Sequence, residues 1–269
     1  MKIEYSNSAF KDAKFIIEGF PYDRTSSFIP GSRFGPHYIR FCTENIEWYS
    51  PYQKRSVADL KICDLGDLEF TEGQPIKEIE REVRRIYSKG KTGIFLGGEH
   101  TISYPITKAI HSVKGRFSVI HFDAHADLRD EFSGEKVCHA CAIRRVSDVV
   151  GFKNIYQFGI RSGTEEEFKM HKNLFKFDVY KPLKKIMAKI KDPIYLTIDV
   201  DVVDPSELSA VATPEPGGIS FRELVDSLLL LKSKKIIGAD IVEYNPLSAS
   251  PWASGSLVAD ILRELLLIV

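Results

Sequence analysis

A β-prone run from Phe117 to Ile120 leads without a break into His121-Phe122-Asp123-Ala124-His125-Ala126-Asp127. Metal-competent side chains recur there at i, i+2 and i+4, so an extended backbone points Asp123, His125 and Asp127 the same way. Taken alone, one His and two Asp could equally cap a strand end and the helix after it. Two other segments tip the balance. Ile94-Phe95-Leu96 ends in Gly97-Gly98-Glu99-His100, and Ile194-Tyr195-Leu196-Thr197-Ile198 ends in Asp199-Val200-Asp201. Each places a carboxylate or imidazole just past an apolar, strand-like run, where open parallel sheets form their ligand crevice. Six candidate ligands then converge: His100, Asp123, His125, Asp127, Asp199 and Asp201.

Short β-prone runs alternate with helical patterns along the whole chain, which argues for repeated βα units and a mostly parallel, buried sheet. The strand candidates are 14–17, 60–63, 93–96, 117–122, 155–158, 175–179, 195–198 and 236–242. Most are apolar on both faces, as strands covered by helices on both sides must be. Ile76, Ile79, Val83 and Ile86 repeat at helical spacing with charged residues between them. Ser220 and Glu223 form a capping-box pattern ahead of Leu224, Leu228 and Leu231, and a last helix is expected over 256–269. With 269 residues, 43% of them hydrophobic, and no linker-like stretch, a single domain over 1–269 is expected.

Composition narrows the partners. Lys plus Arg (37) equals Asp plus Glu (37) and no basic run stands out, so nothing marks the chain for nucleic acid or an anionic membrane. The N-terminus lacks the apolar core of a signal peptide, and no segment approaches the ~20 apolar residues of a membrane span. A cytoplasmic protein with a small-molecule partner is expected. Four cysteines are too few and too unevenly spaced for a disulfide framework.

Six ligands exceed what one tetrahedral zinc site uses, and a carboxylate-rich set suits harder ions. Two Mn²⁺-like ions bridged by carboxylates fit, because four carboxylates offset four positive charges. The pair can still lower the pKa of a bridging water towards neutrality, so the implied nucleophile is a metal-bridging hydroxide.

The motifs Gly97-Gly98-Glu99-His100, Asp123-Ala124-His125-Ala126-Asp127 and Thr197-Ile198-Asp199-Val200-Asp201-Val202-Val203-Asp204-Pro205 resemble those of the ureohydrolases, the arginase and agmatinase family. Thr213-Pro214-Glu215-Pro216-Gly217-Gly218 and Asp240-Ile241-Val242-Glu243 complete the set, in order over most of the chain. The resemblance implies a three-layer α/β/α fold around an eight-stranded, mostly parallel sheet, and two Mn²⁺ ions per chain. It also implies how the ligands divide: His100 and Asp127 on one ion, His125 and Asp201 on the other, Asp123 and Asp199 bridging. Glu243 matches the acidic residue that receives the substrate guanidinium, and His139 the mobile acid/base histidine. A homo-oligomer, trimer or hexamer, is implied as well.

This chain departs from the family by flanking His139 with Cys138 and Cys141. That spacing alone suggests a redox or zinc motif, but no second pair completes a zinc set, and small buried cysteines are the plainer reading. His37, His111, His121 and His171 match no catalytic position; His121 reads as a packed or hydrogen-bonded core residue, and Arg161 as a residue that orients a loop.

Within the family, Pro21-Tyr22-Asp23, the 27–36 stretch, the 213–218 turn and the His139 segment resemble agmatinases, which cleave agmatine to putrescine and urea in polyamine synthesis. Other guanidino or formimino substrates (aminopropylagmatine, guanidinobutyrate, guanidinopropionate, arginine, formiminoglutamate) and a non-catalytic homologue are the alternatives. The loop after Asp127 lacks the Asn- and Ser-rich pattern with which arginases hold an α-carboxylate. Asp130, Glu131 and Glu135 would favour an ammonium there if the loop folds over the pocket, while Arg129 could anchor a carboxylate. The loops over 20–32 and 212–218 are expected to rim that pocket.

Overall fold

The computed structural model describes residues 1–191 and 193–269. Its strands are β1 Phe15–Phe20, β2 Tyr49–Ser50, β3 Arg55–Ser56, β4 Ile62–Asp67, β5 Thr92–Gly97, β6 Ser118–Phe122, β7 Ile155–Ile160, β8 Leu174–Lys176, β9 Ile194–Asp199 and β10 Ile236–Val242. Its helices are α1 Gly35–Thr43, α2 Pro75–Ser88, α3 Ser103–Lys114, α4 Ala142–Val150, α5 Glu165–Lys169, α6 Tyr180–Ile186, α7 Phe221–Leu231 and α8 Pro251–Leu266. Eight strands form one sheet in the order β4-β1-β5-β10-β9-β6-β7-β8, and every neighbouring pair is parallel. The strands β2 and β3 make a small antiparallel pair apart from it.

Alternation along the strands feeds two cores. Ile17, Ile94, Leu96, Ile120, Leu196 and Ile198 pack with Ile39 of α1, Leu183 of α6, Leu224 and Leu228 of α7 and Leu262 and Leu265 of α8. Ile16, Phe95, Val119, Ile155 and Tyr195 face the other way, against Ile79 and Val83 of α2, Ile106 and Ile110 of α3 and Ile143 and Val146 of α4. Each such side chain contributes about 1.5–3 kcal/mol by leaving water, which favours the three-layer α/β/α arrangement over an open sheet. Among the described residues, no helix is long and apolar enough to cross a membrane.

Several expected boundaries move. The expected strand at 175–179 is only Leu174–Lys176, because Phe177 takes a positive φ of 64° and the chain turns into α6. Strands β1 and β4 end three and four residues beyond the expected 14–17 and 60–63, carrying buried Glu18 and Asp64 that an apolar pattern misses. Helix α8 starts at Pro251, five residues before the expected Ser256, since proline suits the first helical turn. The Ser220 hydroxyl accepts the Glu223 N–H at 3.1 Å as expected. The Glu223 carboxylate, however, accepts the N–H groups of Val179 and Tyr180 and so caps α6 instead. A complete capping box forms where none was expected, between Thr164 and Glu167.

The four central strands are β5, β10, β9 and β6, and their C-terminal ends carry His100, Glu243, Asp199 and Asp123. The 20–32 loop is laid against this end. At Gly98 a Cβ atom would fall 2.1 Å from the Tyr22 carbonyl oxygen, so only glycine admits the approach.

Candidate metal centre

All six expected ligands meet in one cluster, buried except for the partly exposed His125. His100 Nδ1 lies 3.1 Å from Asp123 Oδ2, 3.1 Å from Asp127 Oδ2 and 3.3 Å from Asp199 Oδ2. His125 Nδ1 lies 2.9 Å from Asp201 Oδ2 and 3.6 Å from Asp123 Oδ1. Asp123 therefore turns one oxygen to each imidazole. Asp199 Oδ1 accepts the Asp201 N–H at 3.0 Å, which leaves its Oδ2 for the His100 side.

The backbone that gathers them is not the extended one expected. Strand β6 stops at Phe122, and Asp127 has a φ of 54°, a left-handed conformation uncommon for a residue with a side chain. A tight turn, not strand alternation, brings Asp127 back to His100. Glu243 has a φ of 67°, so two positive-φ residues border the same site, as backbone strain at functional sites commonly does.

The donor set fits a cation. His100 Nδ1 and Asp201 Oδ2 are buried with no hydrogen-bond partner, although each faces groups of opposite character within 3.3 Å. Burial and the charge of Asp123 push the Asp127 carboxyl up to about 7. Burial, followed by the neighbouring Asp201 and Asp123, holds Asp199 well above the carboxylate range. Burial works against a charged His100, yet the surrounding carboxylates Asp123, Asp127 and Asp199 raise its pKa well above the usual value. The cluster thus favours positive charge among its carboxylates.

Among the described residues, two groupings are tight enough for an ion: Asp123, His125 and Asp201, and His100, His121 and Asp123. His121 is not available as a ligand in the second. Its Nε2 lies 2.6 Å from Asp123 Oδ2 and its Nδ1 3.0 Å from Gln157 Nε2, so both ring nitrogens are occupied. This matches the reading of His121 as a hydrogen-bonded core residue.

Above the cluster lies a cavity of about 250 Å³, lined among others by His125, Asp127, Asp199, His139, Glu243 and Ser27. Both remaining expected site residues are therefore present. Glu243 is buried, its Oε1 accepts the His100 N–H at 2.7 Å, and burial raises its pKa well above normal. His139 sits in a 3₁₀ turn before α4, with Nδ1 3.3 Å from the Thr25 hydroxyl and Nε2 3.0 Å from the Ser27 hydroxyl. Burial and the charges of His125 and His100 depress its pKa to about 4. The 20–32 loop rims the cavity through Ser27, and the 212–218 turn through Thr213.

The acidic loop after Asp127 does not behave as expected. Asp130 pairs with Arg145 at 2.6 Å, and neither it, Glu131 nor Glu135 lines the cavity. Arg129, Phe132 and Glu167 do. Arg161 acts as the expected loop clamp: its guanidinium donates to the carbonyls of Asp201, Glu215 and Pro216. Cys138 and Cys141 are buried free thiols that share the Glu135 carbonyl, and burial raises both pKa values, against a reactive thiolate.

Sequence reading passed over Glu99, Thr25 and Gln157. Glu99 lies in the Gly97-Gly98-Glu99-His100 motif, where no sequence pattern marks its role; it accepts from Thr25 N at 2.8 Å and Thr101 Oγ1 at 2.6 Å. Gln157 had one faint signal, a lone amide in the apolar run Ile155–Phe158.

The parallel sheet and its end-on cage of two imidazoles and four carboxylates define an α/β/α protein built to gather positive charge. The arginase family profile matches residues 13–268. The chain is 40% identical to the agmatinase of Bacillus anthracis over 97% of its own length and 94% of that protein. It is 41% identical to the agmatinase of Pyrococcus horikoshii over 87% of this chain and 85% of the relative. The crystal structure of the agmatine ureohydrolase of Thermoplasma volcanium superposes with a TM-score of 0.89 at 32% identity, covering 99% of this chain and 93% of that one. This chain belongs to the arginase family.

Proposed function

We propose that this protein hydrolyses agmatine to putrescine and urea, with two Mn²⁺ ions held by His100, Asp123, Asp127, Asp199, His125 and Asp201. The observation that carries the reading is Asp123 turning its two oxygens to two separate imidazoles, His100 and His125. The names of the relatives, agmatinase and agmatine ureohydrolase, support the substrate. We assign His100 and Asp127 to one ion, His125 and Asp201 to the other, and Asp123 and Asp199 to both. Bound there, the ions supply Lewis acidity that makes water a nucleophile near neutral pH.

The chain's own groups do the rest. Glu243 has one oxygen occupied by the His100 N–H and one left to accept from a guanidinium, whose planar fork and permanent charge restore the carboxylate that burial disfavours. His139, neutral at pH 7, accepts a proton and passes it to the departing amine nitrogen while the C–N bond breaks and water oxygen joins the guanidino carbon. Buried Asp127 and Asp199 keep their oxygens aimed at the His100 side. The reading takes residues 1–269 as one catalytic unit in a cytoplasmic homo-oligomer, trimer or hexamer, which light scattering of the purified protein checks.

The test is urea release by the Mn²⁺-loaded protein from agmatine, aminopropylagmatine, guanidinobutyrate and arginine. Agmatine is expected to lead arginine by at least ~10²-fold in kcat/KM, the scale on which a site rejects a substrate whose added polar groups it leaves largely unpaired, with Arg129, among the described residues, the one lining Arg or Lys that could meet the carboxylate. Comparable or faster release from arginine overturns the assignment; a win for aminopropylagmatine keeps the mechanism and changes the substrate.

A further inference from the structure

Four polar side chains lie side by side across the middle of the sheet. Asp240 of β10 is in register with Thr197 of β9, Thr197 with His121 of β6, and His121 with Gln157 of β7. All four are fully buried. Strands of a sheet covered on both faces are ordinarily apolar there, and an unbonded polar group costs stability. A polar row at this depth needs partners, and it has them on every atom that matters.

On one side of the row, the Thr197 hydroxyl donates to Asp240 Oδ1 at 2.6 Å, while Tyr195 and Ser103 donate to Asp240 Oδ2 at 2.7 and 2.9 Å. With its proton committed, Thr197 Oγ1 accepts from His100 Nε2, 3.0 Å away. That leaves Nδ1 as the His100 nitrogen that meets positive charge. On the other side, Gln157 Nε2 donates to the Ala126 carbonyl at 2.7 Å, which fixes the orientation of the amide, because a carbonyl can only accept. The same Nε2 then donates to His121 Nδ1, so the His121 proton is on Nε2 and goes to Asp123 Oδ2. His171 Nε2 closes the chain by donating to Gln157 Oε1 at 2.7 Å.

We infer that the row Asp240-Thr197-His121-Gln157 positions the metal centre from beneath, its β10–β9 half setting the ring of His100 and its β6–β7 half the carboxylate of Asp123. These are positioning residues: none faces the cavity, and each acts through a ligand. The inference rests on the proposed metal site, since His100 and Asp123 matter here as ligands. Partners one bond behind a ligand commonly contribute ~10- to 100-fold in metal affinity. Removing one member also leaves its buried partners unpaired, which lowers stability whether or not metal is bound.

The test separates those two effects. Mn²⁺ is titrated by calorimetry into metal-free wild type and into Thr197→Val, Thr197→Ser, His121→Leu and Gln157→Met, and thermal unfolding of each metal-free protein is recorded. Affinity is expected to fall ~10- to 100-fold in Thr197→Val, His121→Leu and Gln157→Met and to return with the hydroxyl in Thr197→Ser, over and above any lowering of the metal-free Tm caused by the unpaired partners. Unchanged affinity with a lowered metal-free Tm overturns the inference and leaves the row a structural feature. Nitrogen-15 spectra of histidine-labelled, metal-free wild type need no variant to fold: His121 is expected protonated at Nε2 alone, and a proton on Nδ1 overturns the β6–β7 half. A wild type that takes up no Mn²⁺ defeats the metal reading itself, a different failure from wild type and variants binding equally well.

Discussion

The Thr25 hydroxyl accepts the backbone N–H of His139 at 3.1 Å and sits 3.3 Å from its ring Nδ1. Its own proton goes to Glu99 Oε1, 2.5 Å away, so a buried carboxylate holds the hydroxyl that holds the histidine. With Thr25 acting as acceptor, Nδ1 carries the proton, and the unprotonated Nε2 accepts from the Ser27 hydroxyl and is the nitrogen that can take a proton. Thr25→Val keeps the shape and removes the hydroxyl. One hydrogen bond of about 1.4 kcal/mol is a factor of ten, so kcat is expected to fall about tenfold with KM and metal content unchanged. Steady-state kinetics of Thr25→Val, His139→Ala and the double variant decide it. If the double variant is tenfold slower than His139→Ala, Thr25 does not act through the histidine.

Asp123 takes the His121 proton at one oxygen and the His125 backbone N–H at the other, and the same two oxygens face the rings of His100 and His125. Asp123→Asn replaces one acceptor oxygen with a donor pointed at the place where positive charge is needed. Elemental analysis is expected to find fewer than two Mn²⁺ per chain, with activity lost in step. Two ions and full turnover in Asp123→Asn would remove Asp123 from the bridging position.

Arg40 is buried together with Asp64. Its Nε and Nη2 meet the two oxygens of Asp64 at 2.8 and 3.0 Å, and its remaining donors reach Asp67 and the carbonyls of Pro36 and Gly66. Removing one member of a buried pair leaves the other charged and unpaired, which typically costs about 3–5 kcal/mol. Arg40→Ala is therefore expected to lose that much in urea unfolding of the metal-free protein. A loss under 1 kcal/mol would mean water reaches Asp64.

Acid should loosen the fold through its shielded histidines. Burial depresses His139 to about 4, helped by His125 and His100, and depresses His171 to about 4, helped by His121. An unfolded chain protonates its histidines near ~6.5, so the unfolded state binds the protons first. The stability these groups contribute is complete above that pH and is lost as pH falls towards 4. His171→Gln removes one such group while keeping a donor for Gln157. Thermal unfolding from pH 7.5 to 4.5 is expected to show a shallower loss of Tm in the variant; parallel curves would refute the assignment to His171.

The sheet was legible because its strands are apolar on both faces, and the six ligands because each stands just past such a run. What escaped were residues defined by a partner distant in sequence. Glu223 looked like half of a capping box and serves Val179 and Tyr180 instead. Glu99 gave no sign of its bond to Thr25, 74 positions away, and the turn at Asp127 depends on a positive φ that no aspartate announces. The acidic loop at 130–135 misled because its charge was visible and the pairing of Asp130 with Arg144 and Arg145 was not.

That pairing shifts the question of specificity to Arg129. Its guanidinium lies 5.3 Å from the Phe132 ring centre and its Nε 3.9 Å from Glu167, on the wall of the cavity and 41% exposed. Agmatine carries an ammonium at its far end and guanidinobutyrate a carboxylate, so one cation on the wall acts oppositely on the two. At about 6 Å and an effective dielectric of about 40, two unit charges interact by ~1.4 kcal/mol, roughly a factor of ten. Arg129→Gln is expected to raise the ratio of kcat/KM for agmatine over guanidinobutyrate at least ~10-fold, through better binding of the first and poorer binding of the second. The comparison needs both substrates assayed at low and high salt, because a half-exposed charge is partly screened and the effect should shrink as salt rises. A ratio that does not move on Arg129→Gln places the far end of the substrate away from this wall, and leaves Arg129 as a brace for Phe132.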